Sequence, residues 1–210
     1  MHTLHYSPGA ASMSVHWLLI ELDIPHRLSL VDFESRAQKS PDYLALNPAG
    51  VVPTLVMEGR PHAEACALLV HLADTHPESR LAPPVGAPLR MEFLQWMFHL
   101  ANVVQPLFRM WWYPHEPAGP DQADAVLEAT RVRVEAAWDL VDAALAQRGP
   151  YLLGEWPCAA DFHLTVLMRW SRNMPRPATD WPHLQALAAA MKARPSFRAL
   201  YEREGLAEWT

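Results

Sequence analysis

The chain has 210 residues, of which 50 % are hydrophobic and 19 % are charged, and its formal net charge is -6 at pH 7. This composition excludes a disordered acidic protein, and it offers nucleic acid no excess of basic residues. A chain of this length can bury one or two hydrophobic cores. Its 20 prolines exceed the usual frequency of about 5 %, and because proline cannot continue a helix or a central strand, they divide the chain into many elements.

The first 76 residues change their hydrophobic period several times, which predicts alternating strands and helices. The predicted order is β-α-β-α-β-β-α. Strands are expected at 2–6, 27–31, 51–57 and 60–62, and helices from residue 12, after Ser40-Pro41 and at 64–76. We therefore predict a first domain over residues 1–76.

Residues 77–88 contain four prolines and are predicted to be a stiff linker. Everything after this linker has the pattern of helices separated by proline or glycine. The predicted helices span 89–113, 121–147, 159–174 and 181–192, with a last one after 194–196. We therefore predict an all-helical second domain over residues 89–210.

Other classes of protein are excluded by what the sequence lacks. Cys66 and Cys158 are the only cysteines, so a disulfide scaffold or a structural zinc site is not expected. The 11 histidines have no acidic or cysteine neighbours at ligand spacing, and we expect no metal. No signal sequence and no uninterrupted apolar stretch of about 20 residues occurs, so we expect a soluble cytoplasmic protein without a membrane partner.

The segment from Tyr6 to Ser14 has the pattern of a strand end, a tight turn and a helix start. Free backbone N–H groups at a helix N-terminus favour an anion, and a thiolate is such an anion. The Ser12 hydroxyl could donate to it. The alternative at this point is that Ser12 only caps its own helix.

Two further segments point to a family. They are Asn47-Pro48-Ala49-Gly50-Val51-Val52-Pro53-Thr54-Leu55 and, beyond it, the pair Glu64-Ala65 opening a helix. With the linker and the segment 154–162, this ordered set resembles the glutathione transferase superfamily along the whole chain. The opening Tyr6-Ser7-Pro8-Gly9-Ala10 is most similar to the bacterial beta class.

The resemblance implies a thioredoxin-like N-terminal domain, a helical C-terminal domain, glutathione as co-substrate and a homodimer. Pro53 would be cis, and the backbone of Val52 would hold the cysteinyl part of glutathione as an added strand. Glu64 and the Ala65 N–H would receive the γ-glutamyl group, and Arg36 or Lys39 the glycine carboxylate. The alternatives are a helix-dipole charge at Glu64 and a solvated cation at Arg36.

The sequence departs from the family pattern at several positions. Ala11 stands where the beta class usually has cysteine, so mixed-disulfide chemistry is not expected. Ser12 and Tyr6 are the remaining catalytic hydroxyls, and we prefer Ser12. Ala65 replaces a serine or threonine, which removes one contact to glutathione, and Cys158 replaces a threonine helix cap.

The second substrate is expected to meet an apolar wall in residues 102–113. Gln105, Arg109 and Trp112 are the candidates there, and Met13 could line the opposite side. Pro106 should bend this helix. Core or dimer contacts are the alternative explanation for these aromatic side chains.

The resulting prediction is a transferase that stabilises the glutathione thiolate for attack on a small, largely apolar electrophile. A glutathione-transferase-like interaction module without catalysis is the second hypothesis. Glutathione-dependent isomerisation or peroxide reduction is a third, because residue types alone do not distinguish it from conjugation.

Overall fold

The computed structural model describes residues 1–209, which divide into two compact units. The first consists of Met1–Ala82 together with Lys192–Glu208, and the second of Pro83–Met191 and Trp209. The first unit is therefore built from two stretches of chain that are far apart in sequence.

A four-stranded sheet in the order β2-β1-β3-β4 forms the centre of the first unit. Its strands are β1 (His2–Tyr6), β2 (His26–Leu30), β3 (Thr54–Met57) and β4 (Arg60–His62). β1 runs parallel to β2 and antiparallel to β3, which is itself antiparallel to β4. Leu4 and Leu55 are paired across the middle of the sheet and are completely buried.

Four helices complete the first unit: α1 (Ser12–Glu21), α2 (Pro41–Leu46), α3 (Ala65–Thr75) and α10 (Pro195–Glu204). α2 begins as predicted, because the Ser40 side chain accepts a hydrogen bond from the Tyr43 N–H and Pro41 occupies the first turn. Within this unit Trp17 of α1 packs against Phe197 of α10 and donates its indole N–H to Ser196.

The second unit is helical. Its helices are α4 (Arg90–His99), α5 (Gln105–Trp112), α6 (His115–Ala118), α7 (Ala123–Arg148), α8 (Ala159–Trp170) and α9 (Pro182–Lys192), whose last residue is grouped with the first unit. A π-helical turn, Leu100–Val104, joins α4 to α5. This turn ends two residues before Pro106, whose ring nitrogen cannot donate to a helical hydrogen bond. The bend expected at Pro106 stays a prediction.

Every residue of α8 is buried, including Asp161 in its first turn. The Asp161 carboxylate accepts hydrogen bonds from the backbone N–H groups of Cys158 and Leu152, at 2.8 and 3.0 Å. Asp161 and Cys158 together form a capping box. Burial raises the pKa of Asp161 to about 6, although both hydrogen bonds act in the opposite direction.

The predicted fold class is confirmed: the first unit has the order βαβαββα, and helices follow it. The domain boundaries stay a prediction. At the C-terminus, the two compact units divide the chain differently from the two predicted domains. α10 belongs with the first unit, because its apolar and hydrogen-bonded side chains meet α1. Among residues 1–209, no helix is both long and apolar enough to cross a membrane.

We expect Asp161→Ala to lower the free energy of unfolding by about 2–4 kcal/mol, because two buried N–H groups lose their acceptor. The measurement is the urea midpoint at pH 7. The control is Asp121→Ala, since Asp121 is exposed in the short 3-10 turn before α7. Equal midpoints for the two variants would contradict the capping role.

Candidate functional site

Three chain segments meet at one end of the sheet in the first unit. β1 ends there at Tyr6, and the antiparallel register that pairs His5 with Thr54 brings Tyr6 beside Pro53 at the start of β3. β4 ends at the same side, because Leu55 pairs with His62. The starts of α1 and α3 follow directly from β1 and β4, so this end of the sheet gathers most of the predicted binding residues.

The peptide bond between Val52 and Pro53 is cis, which confirms the prediction for Pro53. The loop before it is braced from α2. The Tyr43 hydroxyl donates to the Val51 carbonyl at 2.7 Å and accepts from the Thr54 hydroxyl at 2.9 Å, and the Asn47 side chain donates to the same carbonyl at 2.8 Å. The Val52 backbone makes no hydrogen bond to another residue within 1–209. Val52 is buried to all but 6 % of its surface, and its N–H and C=O are left without a hydrogen-bond partner in this part of the chain.

Lys39 ends a short 3-10 turn, Ala37–Lys39, and reaches this same loop. Its ammonium donates to the carbonyls of Ala49 and Gly50, at 3.3 and 3.1 Å. An ammonium has three N–H donors, so one is left for a ligand. Arg36 is exposed and has a left-handed backbone conformation.

The start of α1 is closed by Ser12 and Ser7. The Ser12 hydroxyl accepts from the Ser7 N–H at 3.1 Å and donates to the Ser7 carbonyl at 3.2 Å. Ser12 is completely buried. The Ser12 hydroxyl therefore donates its only proton to the Ser7 carbonyl. In this structure Ser12 closes the loop and has no further proton to donate.

Tyr6 lies at the end of β1 and is partly exposed. Its hydroxyl makes no hydrogen bond to any other residue that the structure describes. Burial, and secondly the charge of Glu204, raise the pKa of Tyr6. The phenol therefore keeps its proton near neutral pH and can donate it to a bound anion.

The start of α3 has an unusual backbone. Glu64 is exposed and has φ 69° and ψ 102°, a region that non-glycine residues rarely adopt, and such conformations are concentrated at functional sites. The next residue, Ala65, opens α3 and is buried. Burial, helped by Glu64, raises the pKa of the Cys66 thiol to about 12. Burial also raises that of Cys158, so neither cysteine supplies a thiolate near neutral pH.

In the second unit, Gln105, Arg109 and Trp112 follow one another along one face of α5, at intervals of four and three residues. The Gln105 side-chain carbonyl accepts from Nε2 of His163 at 2.9 Å. Burial lowers the pKa of His163 to about 4, so the imidazole is neutral at pH 7. Gln105 is half-buried, and its NH₂ group has no acceptor among residues 1–209.

The other predicted wall residues have different surroundings. Arg109 pairs with Glu116 and lies over the Tyr113 ring, 4.1 Å from its centre. Trp112 is exposed but packs edge-on against Trp170. Met13 is almost completely buried, so its side chain does not lie on an open surface.

Comparison with known proteins supplies the decisive observation. Residues 10–75 match the model of the glutathione S-transferase N-terminal domain. The chain is 32 % identical to glutathione S-transferase GST-4.5 of Xanthomonas campestris over 97 % of its own length and 98 % of the relative's. The chain belongs to the glutathione S-transferase family.

Solved glutathione S-transferase structures agree over almost the whole chain. A ternary complex of BphK, a bacterial enzyme, has 33 % identity and a TM-score of 0.86, and covers 97 % of this chain and 100 % of its own. A homologue from Sulfitobacter with bound glutathione has 28 % identity and a TM-score of 0.90, with 99 % of each chain covered.

Sequence reasoning missed several residues that shape this glutathione S-transferase. Tyr43 and Asn47 support the Val51 carbonyl, His163 orients Gln105, and Glu204 contacts the loop before α1. None of these residues forms a local motif, although Asn47 lies in the segment that carries the resemblance. Within the described part of the chain, no group of three His, Cys, Asp or Glu side chains could hold a metal ion.

We expect Gly50→Ala to cost about 2–4 kcal/mol of folding free energy. Gly50 has φ +62°, and an added Cβ would lie 2.7 Å from Lys39 Nζ and 2.8 Å from the Gln38 carbonyl oxygen. Gly59→Ala is the matched control, because Gly59 has φ +77° but no atom within 4 Å of an added Cβ. It should cost only about 1 kcal/mol. Urea unfolding measures both, and an equal loss would show that the contacts around Gly50 do not constrain it.

Proposed function

We propose that this protein is a glutathione transferase that binds glutathione along the Val52-Pro53 edge and delivers its thiolate to a small, largely apolar electrophile. The observation that carries the proposal is the unpaired Val52 backbone beside the cis Pro53. It lies at the sheet end where α1 and α3 begin. Family membership and the bound glutathione of the Sulfitobacter homologue support the choice of ligand.

Each part of glutathione has a proposed partner. The cysteinyl backbone pairs with the N–H and C=O of Val52, next to Pro53, as an added strand would. The γ-glutamyl carboxylate meets the Ala65 N–H at the start of α3, and its ammonium group is attracted by Glu64. The glycine carboxylate takes Lys39 or Arg36, both of them cations on the segment leading to α2.

The sulfur is proposed to lie at the start of α1, where helix N–H groups favour an anion. Ser12 and Tyr6 are the two hydroxyls that the sequence offers as catalytic candidates. Since the Ser12 proton is held by Ser7, we propose that Tyr6 donates to the thiolate and that Ser12 keeps the loop closed. This reverses our preference from sequence, and the reason is the complete burial of Ser12.

The electrophile is proposed to contact the α5 face that bears Gln105 and Trp112, with Arg109 at its rim. Trp112 offers apolar surface, and the NH₂ group of Gln105, which has no acceptor among residues 1–209, offers a donor for a polar substituent. Met13 is left out of this wall because it is buried.

The protein is also proposed to be a homodimer. Met91 and Phe98 lie two helical turns apart on the same side of α4 and are exposed, a pattern that suits a second apolar surface. Sedimentation velocity would measure the association state.

The deciding experiment combines retention on immobilised glutathione with turnover of an aryl halide. We expect both, because the site joins a peptide-binding edge to an anion-stabilising helix start. Retention without turnover would favour the interaction module, and turnover of peroxides or isomerisable substrates in place of aryl halides would favour the third hypothesis. Absence of retention would contradict the proposal.

Tyr6→Phe is expected to raise the pKa of enzyme-bound glutathione by about one unit and to lower kcat/KM near pH 6.5 about tenfold, because a hydrogen bond to a charged sulfur is lost. The absorbance of the bound thiolate across a pH series measures this shift.

Ser12→Ala is the comparison variant. It should lower the free energy of unfolding by about 1–2 kcal/mol, since the Ser7 N–H and C=O lose their partner. It should move the thiol pKa less than Tyr6→Phe does. A larger shift in Ser12→Ala would return the donor role to Ser12.

A further inference from the structure

The last helix contacts the loop before α1 through one buried side chain. Glu204, the final residue of α10, accepts a hydrogen bond from the Gly9 N–H at 2.8 Å through Oε2. Its other oxygen, Oε1, lies 2.8 Å from Nδ1 of His16 on α1. The side chains of Glu204 and His16 are both completely buried.

A carboxylate out of contact with water is costly unless it is paired, so its partners indicate what it holds in place. One partner is a backbone N–H in the loop, and the other is a side chain more than one turn into α1. Glu204 therefore ties the loop and the helix that follows it to a single point on α10. Ser12 and Ser7 close the same loop from its other side.

His16 also connects this point to Tyr6. The ring centres of His16 and Tyr6 are 6.0 Å apart, and those of His16 and His26 are 5.4 Å apart. Because Glu204 fixes Nδ1 of His16, it fixes the orientation of the imidazole that packs beside Tyr6. The second ring nitrogen of His16, Nε2, is buried and has no hydrogen bond to a described residue. The orientation therefore depends on the Glu204 contact.

We propose that Glu204 is a positioning residue for the thiolate site: through Gly9 and His16 it sets the place of the first turn of α1 and of the Tyr6 ring. The inference rests on the proposed function. Glu204 does not touch glutathione in this scheme. It acts from the far end of the chain, 195 positions from Gly9.

The test uses full-length Glu204→Ala, Glu204→Gln and Glu202→Ala. Glutamine can still accept from Gly9, and Glu202 is an exposed glutamate on the same helix. We expect Glu204→Ala to raise the pKa of bound glutathione by about one unit and to lower kcat/KM at neutral pH about tenfold. Glu204→Gln should stay within about threefold of the parent protein, and Glu202→Ala should be unchanged.

A second readout does not need activity. Amide hydrogen exchange should rise in residues 7–13 of Glu204→Ala while α3 keeps its protection. The ionisable groups around Glu204 are Tyr6, His16, His26 and Arg203. The thiolate absorbance of bound glutathione is therefore also measured across the pH series for His16→Asn, which keeps a donor near the position of Nδ1. If Glu204→Ala does not fold, Glu204→Gln and His16→Asn carry the same comparison.

Two outcomes would overturn the positioning role. One is a Glu204→Ala protein of lower stability whose thiol pKa, kcat/KM and loop exchange equal those of the parent. The other is a Glu204→Gln protein as impaired as Glu204→Ala. Failure of the parent protein to bind glutathione or to turn over the aryl halide would instead contradict the proposed function, so the two failures can be told apart.

Discussion

The candidate site depends on the antiparallel pairing of β1 with β3. This pairing sets Leu4 against Leu55 in the core and, two residues further along each strand, brings Tyr6 at the end of β1 beside the cis Pro53. A shift of one residue between the two strands would put Leu4 and Leu55 on opposite faces of the sheet, so the buried core fixes the register. The starts of α1 and α3 then follow at the same end, because neither loop is long enough to place them elsewhere.

Much of this arrangement is local and could be predicted from the sequence. The change of hydrophobic period marks the first unit, Ser40-Pro41 marks the start of α2, and the segment around Pro53 carries the family resemblance that implies a cis bond. Each of these signals lies within about ten residues of the feature that it predicts. Helix ends were less well predicted: α8 stops at Trp170, four residues before the expected Met174.

The rest depends on contacts between distant residues. Nothing near Ser12 indicates that its proton is taken by Ser7, because a serine at a helix start has the same sequence whether it faces solvent or a carbonyl. The orientation of Gln105 is set by His163, 58 positions away. The place of α10 is set by its partners on α1. Contacts of this kind produce no periodic pattern in the sequence, so the sequence alone does not predict them.

The first unit is built from two separate stretches of chain, which affects its folding during synthesis and the choice of fragments for expression. The chain leaves this unit after residue 82 and returns to it only at residue 192. During synthesis, α1 therefore has to wait for the final helix before Trp17, Gly9 and His16 obtain their partners. The proline-rich segment after α3 is accordingly a poor place to cut the gene, since a fragment ending there would retain the whole sheet and lack the helix that completes it.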